Sequence, residues 1–217
     1  MGNITIDNVI IDWLGHAGFM IKADGLVIYI DPYILPDTIS LEDMADIILI
    51  THEHDFHCYP ESIRRVRKSD TTTLIPENMS LQFRGDARRI VEGDSLTGEL
   101  SIKGVGIEVV PAYSRESSLH PRGEGLGYIV EVGGMRIYHA GDTDLIPEMS
   151  NVSADVALLP IGGTSTMDEE QASEAAVVLS PKVVIPMHYG TGDTAAEPEK
   201  FRELVKEKAP GIDVVIL

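Results

Sequence analysis

Strand-like segments repeat at a nearly constant spacing in this 217-residue chain, and the repeat constrains its fold more than any other feature. Three pairs of segments match in order, namely those that begin at Gly18 and Gly127, at Ala45 and Ala154, and at Ile75 and Ile185. The first two pairs lie 109 residues apart and the third lies 110 residues apart. Coincidence between strand-like sequences explains one match easily but three in order poorly. We therefore predict a single domain, residues 1–217, with duplicated halves of about 1–108 and 109–217.

Short apolar runs predict strands, and two periodic segments near the C-terminus predict helices. The runs Leu26–Ile30 and Ile47–Thr51 are almost continuously apolar, as expected of strands buried on both faces. Asp168 and Gln171 have the spacing of a helix-capping pair, and a further helix begins at Pro198. Further strands are predicted at 8–14, 19–23 and 71–76, and helices near 60, over 168–179 and over 198–208. Strand-rich halves each followed by a helix predict two sheets packed face to face with helices outside.

Charge and composition restrict the partners of this chain. The formal net charge is −18, because 35 acidic residues outnumber 17 basic ones. Such a surface repels phosphate backbones and anionic lipids, so nucleic-acid or membrane binding is not expected and a small-molecule substrate is favoured. The single cysteine, Cys58, excludes an intramolecular disulfide. No signal peptide or membrane-spanning run is recognisable, which predicts a cytoplasmic location.

A histidine-rich segment, THEHDFH at residues 51–57, follows the apolar run Ile47–Ile50. Residues two apart on an extended chain point the same way, so His52 and His54 can share a ligand, and His57 follows after a turn. Imidazole is a common ligand of zinc, iron and nickel. An exposed polar loop is the alternative interpretation, but three histidines in six positions at the end of a strand favour a metal site.

Other candidate site residues also follow strand-like runs. They are His16, Asp31, His139, Asp142 and His188. In a duplicated sandwich such strand ends can converge on one edge. His52 and His54 have no histidine counterpart 109 residues further on. A ligand set shared between the halves would therefore place the metal on the seam between them.

Four motifs occur in order: Trp-Leu-Gly-His at 13–16, Thr-His-Glu-His at 51–54, His-Ala-Gly-Asp-Thr at 139–143 and Met-His-Tyr-Gly at 187–190. This combination resembles the metallo-β-lactamase superfamily, in particular the broad branch of uncharacterised metal-dependent hydrolases that includes the ascorbate-phosphate lactonases. The resemblance spans nearly the whole chain. It implies an α/β (α+β) fold, a four-layer αββα sandwich of two mixed β-sheets, with one or two metal ions, usually zinc, at the edge of the sheets.

The resemblance also implies roles for individual residues. His52 and His54 match ligands of the first metal site. Asp142 matches the carboxylate that bridges two metals, and His57 and His188 match histidines of the second site.

Three further histidines correspond less directly. His120, in Leu-His-Pro-Arg-Gly, is implied as the third histidine of the first site, with a loop histidine that binds no metal as the alternative. His16 matches a histidine that lines the site and orients substrate or contacts metal, with a buried structural histidine as the alternative. His139 precedes the bridging carboxylate, and strand alternation points it elsewhere, so we expect it to support the ligands or to lie in the core.

The chain departs from the family pattern His-x-His-x-Asp-His at one position. Phe56 occupies the place of the second-site aspartate, and Asp55 stands one residue earlier. Because adjacent residues generally point in different directions, Asp55 approaches the metal only if the loop is re-registered. The sequence is compatible with both outcomes.

The first functional hypothesis is a metal-dependent hydrolase acting on an ester, lactone or phosphodiester. The ion would be zinc, with manganese, iron or nickel as alternatives, because imidazole and carboxylate ligands suit all of them. Catalytic roles are assigned to Asp142 as the bridge, to Asp55 as acceptor of the water's proton, and to His16 in positioning the leaving group.

Two other hypotheses remain open. A metal-binding protein with weak or no hydrolase activity would follow from a defective second site, and a redox di-iron protein is the third. Substrate choice would depend on the loops over 114–125 and 164–168. The pattern leaves open whether the chain forms a homo-oligomer.

Overall fold

Two seven-stranded β-sheets and three α-helices make up the computed structural model, which describes residues 2–83, 85–115, 118–190 and 195–217. The first sheet contains β1 (Asn3–Ile6), β2 (Val9–Trp13), β3 (Phe19–Ala23), β4 (Leu26–Ile30), β5 (Ala45–Leu49), β6 (Arg67–Pro76) and β7 (Asp86–Ile90). The second contains β8 (Ser95–Leu96), β9 (Gly106–Ala112), β10 (Gly125–Val132), β11 (Met135–His139), β12 (Val156–Pro160), β13 (Val183–Met187) and β14 (Asp213–Val214). The helices are α1 (Pro60–Val66), α2 (Glu169–Leu179) and α3 (Pro198–Lys208).

The two sheets repeat the same arrangement of strands. In the first sheet β2, β3 and β4 are antiparallel neighbours and β4, β5 and β6 are parallel neighbours. In the second sheet the same relations join β9, β10 and β11, and then β11, β12 and β13. The segments matched in the sequence occupy equivalent strands, as an internal duplication predicts. The chain passes from the first sheet to the second between Ile90 and Ser95, whereas the predicted halves meet at about residue 108. The single domain with that boundary stays a prediction.

Alternation along the central strands explains the layers. In β4, Ile28 and Ile30 contribute to the core that both sheets share, while Tyr29 points to the other face and packs with Ile63 of α1. In β5, Leu49 belongs to the shared core, and Ile48 belongs to the same outer cluster as Tyr29 and Ile63. Successive side chains of a strand point to opposite faces, so both faces of these apolar strands are buried. Because α2 and α3 also contribute side chains to the large core, the architecture is the predicted αββα sandwich.

Helix α2 begins where the capping pair indicated. The Asp168 side chain accepts a hydrogen bond of 2.8 Å from the backbone N–H of Gln171, which satisfies one of the free donors of the first turn. Ser180 closes the helix in a left-handed conformation. In the described part of the chain, the helices are all too short, or too polar, to span a bilayer.

The parallel strands bring distant parts of the sequence to one edge. Asp31 follows β4, Thr51 and His52 follow β5, and His188 follows β13. Leu126 of β10 donates its backbone N–H to the Thr51 carbonyl oxygen at 3.0 Å, which joins the two sheets at this edge. The side chains at the carboxyl ends of both sheets therefore meet.

Candidate metal centre

Three histidines, His52, His54 and His120, converge although the strands next to them belong to different sheets. His52 Nε2 lies 3.0 Å from His54 Nδ1, and His120 Nε2 lies 3.2 Å from the same nitrogen. His52 and His120 are buried and His54 is exposed. We call these three residues the first triad. Their ligand nitrogens are close enough together to hold one metal ion.

A second triad consists of His16, His57 and His188, whose ligand nitrogens also lie within 4.8 Å of one another. The ring centroids of His16 and His188 are 4.0 Å apart, and those of His16 and His57 are 5.1 Å apart. The backbone N–H of His188 donates to the carbonyl oxygen of His16 at 2.8 Å, which holds the two residues together. In the structure His16 thus stands where it can complete a histidine trio.

Asp142 lies between the triads. Its Oδ2 atom is 3.1 Å from His188 Nε2 and 3.3 Å from His57 Nε2 in the second triad. The same oxygen is 3.5 Å from His120 Nε2 and 3.7 Å from His52 Nε2 in the first triad. One carboxylate therefore faces both groups of ligands.

Asp31 and Thr51 orient one histidine of each triad. The buried Asp31 carboxylate accepts hydrogen bonds from Thr51 N at 2.8 Å, from Thr51 Oγ1 at 2.5 Å and from His57 Nδ1 at 2.7 Å. Because a threonine hydroxyl carries one proton and gives it to Asp31, it accepts from His52 Nδ1 at 2.9 Å. In their neutral forms, both histidines therefore turn an unprotonated Nε2 towards Asp142.

His120 is oriented in the same way by a main-chain group. Its Nδ1 lies 3.0 Å from the Ser165 carbonyl oxygen, which can only accept, so this nitrogen donates and Nε2 is left with its lone pair.

His139 is held differently: Gly141 N–H donates to its Nδ1 at 3.1 Å, and its Nε2 donates to the Ala17 carbonyl oxygen at 2.8 Å. Both of its nitrogens are thus used inside the core, away from the ligand groups.

Three site residues have backbone angles that ordinary side chains rarely adopt. His16, Asp31 and His188 have φ values of 53°, 45° and 62°. Such conformations cost free energy and persist where the surroundings enforce them, as at functional sites. The indole N–H of Trp13 donates to the His16 carbonyl oxygen at 3.0 Å, and the Trp13 ring stacks on Tyr189 at 4.7 Å between centroids.

Burial and neighbouring charge shift the pKa values in the cluster. Burial, followed by the nearby His188 and His57, lowers the pKa of His16 to about 3. Burial also lowers the pKa of His52 and His54. His57 is the exception: burial alone would lower its pKa, but the Asp142 and Asp31 carboxylates raise it to about 10.

Asp142 stays ionised despite its surroundings. Burial would raise its pKa, but His57 and His188 hold the pKa of Asp142 well below its usual range. The carboxylates therefore favour a positive charge at the centre of the cluster, while the lowered pKa values favour neutral imidazoles at His16, His52 and His54. Ionised aspartate and neutral histidine are the forms that bind a metal, so His57, with its raised pKa, would release a proton when a metal binds.

The donor set fits a divalent cation. His52 Nε2 and His120 Nε2, both unprotonated, point at His54 Nδ1, which has at most one proton to share between them. Among the described residues, the buried Asp142 Oδ1 and His188 Nδ1 have no hydrogen-bond partner. Buried polar atoms are seldom left so, and converging lone pairs repel unless a cation lies between them. The residues present therefore suit a metal ion in each triad.

The loop after His54 carries Asp55 and Phe56, the two residues that depart from the family pattern, and neither belongs to a triad. Asp55 is exposed and, among the described residues, belongs neither to the two triads nor to a third close group formed by Asp31, His52 and His57. Its charge acts on His54 by raising the pKa of that imidazole, against the larger effect of burial. Phe56 is 48% exposed, and its ring centroid lies 5.4 Å from that of His16. The second triad is thus completed by His16 and not by Asp55 or Phe56.

Two cavities adjoin the cluster. A small cavity of about 100 Å³ opens onto the first triad and is lined by Glu53, Met79 and Leu119 as well. A larger polar cavity of about 570 Å³ is lined by Ser114, Arg115, Asp144, Ser165, Thr166, Asp168 and others. Ser165 links this cavity to His120. The loops predicted to choose the substrate contribute to the larger cavity, although Glu116 and Ser117 lie outside the described residues.

Some functional contacts were not recognised from the sequence. The sequence motifs do not indicate the hydrogen bonds that Thr51 Oγ1 makes to Asp31 and His52, or the one between His120 and the Ser165 carbonyl oxygen. A hydroxyl or a main-chain oxygen gains such a role only from its position in the fold. Gly162 is a third case. A Cβ atom at this residue would lie 2.5 Å from His188 Nδ1 and 2.9 Å from the His188 carbonyl oxygen, so the absence of a side chain there makes room for the histidine.

Known proteins resemble this chain over most of its length. A family model described as a β-lactamase superfamily domain matches residues 10–188. A UPF0173 metal-dependent hydrolase of Thermococcus kodakarensis is 36% identical, covering 95% of this chain and 95% of that protein. A UPF0173 metal-dependent hydrolase of Methanopyrus kandleri is 32% identical, covering 95% of this chain and 96% of that protein.

A solved structure agrees with these relatives. Igni18, a metallo hydrolase from the hyperthermophilic archaeon Ignicoccus hospitalis, is 34% identical with a TM-score of 0.78, covering 96% of this chain and 94% of that one. The resemblance seen in the four sequence motifs is thereby confirmed. With a family model matching most of its residues and relatives above 30% identity along nearly its full length, this chain belongs to the metallo-β-lactamase superfamily.

Proposed function

We propose that this chain, a metal-dependent hydrolase of the metallo-β-lactamase superfamily, holds two zinc ions and hydrolyses an ester, lactone or phosphodiester of a small molecule. One observation carries the proposal. Four imidazole Nε2 atoms, from His188, His57, His120 and His52, surround the single oxygen Asp142 Oδ2 at 3.1 to 3.7 Å. Imidazole nitrogens converging on one buried carboxylate are the donor set of a divalent metal site.

The two triads divide the ligands. His52, His54 and His120 would hold one ion, and His57, His188 and His16 would hold the other, with Asp142 shared between them. His16 therefore takes the place that the loop aspartate has in the family pattern. Six imidazoles and one carboxylate suit zinc, and also iron or nickel, while manganese prefers more oxygen ligands.

A divalent ion bound in this way supplies Lewis acidity, which lowers the pKa of water towards about 7 and stabilises negative charge on the reacting oxygen. The chain itself provides the positions. Asp142 spaces the two triads, and the Asp31–Thr51 pair keeps His52 and His57 in the ligand-competent tautomer. Asp55, exposed next to His54, is the proposed acceptor of the water's proton.

Substrate would reach the ions through the larger, polar cavity. The 570 Å³ cavity joins the first triad through Ser165 and has room for a small molecule. Arg115 lies in its wall, so the cavity offers one cation in a strongly acidic protein. We expect small-molecule substrates and a cytoplasmic location, and we expect neither nucleic acid nor membrane as a partner.

A second candidate function rests on the loop exchange. Phe56 offers no ligand atom, and Asp55 is exposed and lies outside the ligand groups of the described residues. If the carboxylate of the family pattern is indispensable for catalysis, the chain would bind metal with weak or no hydrolase activity.

Metal content and hydrolysis together test the first proposal. Protein purified with zinc available is analysed for zinc, manganese, iron and nickel, and is assayed on aryl phosphodiesters, lactones and thioesters. His54→Ala should lose metal and activity. Glu53→Ala is the matched control, because Glu53 lies on the same loop but bonds to Ser80. Activity no higher than that of His54→Ala, with metal bound, would favour the metal-binding protein. Absence of all four metals would refute both.

A loop exchange separates the two functions further. The double variant Asp55→Phe with Phe56→Asp restores the order of the family pattern. If His16 already completes the second site, the number of bound ions should stay the same. A gain in bound metal or in rate would instead mean that the natural loop leaves the second site defective.

A further inference from the structure

Three aromatic rings form a partly exposed cluster beside the second triad, and we call Tyr33, Phe56 and Tyr59 the aromatic cluster. The ring centroids of Tyr33 and Phe56 are 5.1 Å apart and those of Tyr33 and Tyr59 are 5.5 Å apart. The planes meet at 74° and 89°, so each pair is arranged edge to face. Phe56 is 48% exposed and Tyr59 is 38% exposed. The cluster therefore presents ring faces and edges to solvent.

The cluster is continuous with the metal centre. The Phe56 ring lies 5.4 Å from the ring of His16, and the His16 ring lies 4.0 Å from that of His188. A group attached to a reacting atom at the second triad would consequently reach Phe56 next. Beside the first triad, the small cavity presents Leu119 instead.

The cluster is also held in place before any ligand binds. Ser62 of α1 donates its hydroxyl to the Tyr33 carbonyl oxygen at 2.6 Å, and Tyr59 directly precedes Pro60 at the start of α1. Because the rings are already positioned, little conformational entropy is lost when a further ring packs on them. Single exposed apolar residues are ordinary, but three contiguous rings at the edge of a reaction centre indicate a binding surface.

We propose that the aromatic cluster binds a planar apolar group of the substrate, so that the preferred substrates are aryl esters or aryl phosphodiesters. This inference rests on the proposed function, since it names the substrate class of the same site. A neutral ring suits this position, because Phe56 brings no charge where the family pattern has a carboxylate, and because a net charge of −18 disfavours a second anionic group. An added ring continues the edge-to-face arrangement that the three rings already have.

Binding of two phosphonates to the zinc-loaded protein tests the inference without turnover. Methylphosphonate and phenylphosphonate share the group that would contact the ions and differ in the ring. Calorimetric titration should give about three- to tenfold tighter binding of phenylphosphonate, the range expected of an aromatic contact. Phe56→Ala should remove that preference and leave methylphosphonate binding and zinc content unchanged. Phe56→Leu, which keeps most of the apolar volume, should retain part of it.

Leu119→Ala is the matched control, because Leu119 is 58% exposed and adjoins the other triad. It should keep the full preference for phenylphosphonate. Equal binding of the two phosphonates by the natural protein, or a preference that survives Phe56→Ala, would overturn the inference while methylphosphonate binding still supports the metal site. Failure of both phosphonates to bind would count against the metal site and the inference together. Dissociation of an oligomer by Phe56→Ala, with the preference unchanged, would show that copies of the chain cover the cluster.

Discussion

Replacing Asp31 by asparagine should weaken metal binding at both triads, although Asp31 belongs to neither triad. Its Oδ2 atom accepts hydrogen bonds from both Thr51 Oγ1 and His57 Nδ1, and Oδ1 accepts from Thr51 N. An amide has one accepting oxygen and one donating nitrogen, so it cannot serve all three donors. The backbone is little affected, because asparagine tolerates the φ of 45° found at this position.

The magnitude follows from the proton that each histidine carries. If the amide nitrogen faces Thr51 Oγ1 and His57 Nδ1, the hydroxyl turns its proton to His52 Nδ1. Both histidines then hold their own proton on Nε2, the atom that faces Asp142. Losing such a supporting hydrogen bond costs about ten- to a hundredfold in metal affinity, which corresponds to ~1.4–2.7 kcal/mol. Removing one partner of a buried charged pair costs stability as well, on the order of 3–5 kcal/mol.

Zinc affinity is measured by competition with a chromophoric chelator, and stability by denaturant unfolding with and without zinc. Asp46→Asn is the matched control. Asp46 is also a buried carboxylate, which accepts from Val27 N at 2.9 Å and from Lys68 Nζ at 2.6 Å, but it lies outside the metal centre. It should lose stability and keep its zinc affinity. Asp31→Asn with natural zinc affinity and stoichiometry would refute the orientation of the ligands by Asp31.

Two other substitutions test single contacts at the centre. Gly162→Ala places a Cβ atom 2.5 Å from His188 Nδ1, so it should displace that imidazole and lower the zinc bound per chain by one. Gly211→Ala is its control, because a Cβ there would meet nothing within 4 Å; equal zinc content in the two variants would contradict the prediction. Asp142→Asn should reduce zinc affinity at both triads by tenfold or more, since the shared oxygen loses its charge; metal analysis showing two tightly bound ions would exclude a bridging role.

Central strands could be predicted from the sequence because both of their faces are buried. The segment Phe19–Ala23 and the segment Leu26–Ile30 form strands with the expected bounds. The strand expected over 71–76 begins earlier, at Arg67, because Arg67 pairs with Ala45 although the first four residues of the strand are polar. Hydrophobic pattern thus locates buried strands, while the polar ends of strands are decided by hydrogen bonding to a neighbour.

The ligand types were visible in the sequence, and the family resemblance implied most of their grouping, but the place of His16 was left open. Spacing along the chain suggests that His52 and His54 act together, and the structure does bring them to 3.0 Å. Nothing in the sequence alone brings His16 to His188, since that contact depends on a hydrogen bond between two left-handed residues 172 positions apart. The residue that stands in place of the loop aspartate was equally hidden, because Phe56 supplies no ligand atom and says nothing about which residue replaces it.

The division of the triads between the sheets links metal binding to the fold. His52 and His54 follow β5 of the first sheet, while their partner His120 precedes β10 of the second. Likewise His16 lies between β2 and β3, while its partner His188 follows β13. Neither half of the duplicated chain therefore holds a complete triad, and an ion in either one ties the two sheets together at their shared edge. The free energy of metal binding then adds to the stability of the packed sandwich and not to that of one half.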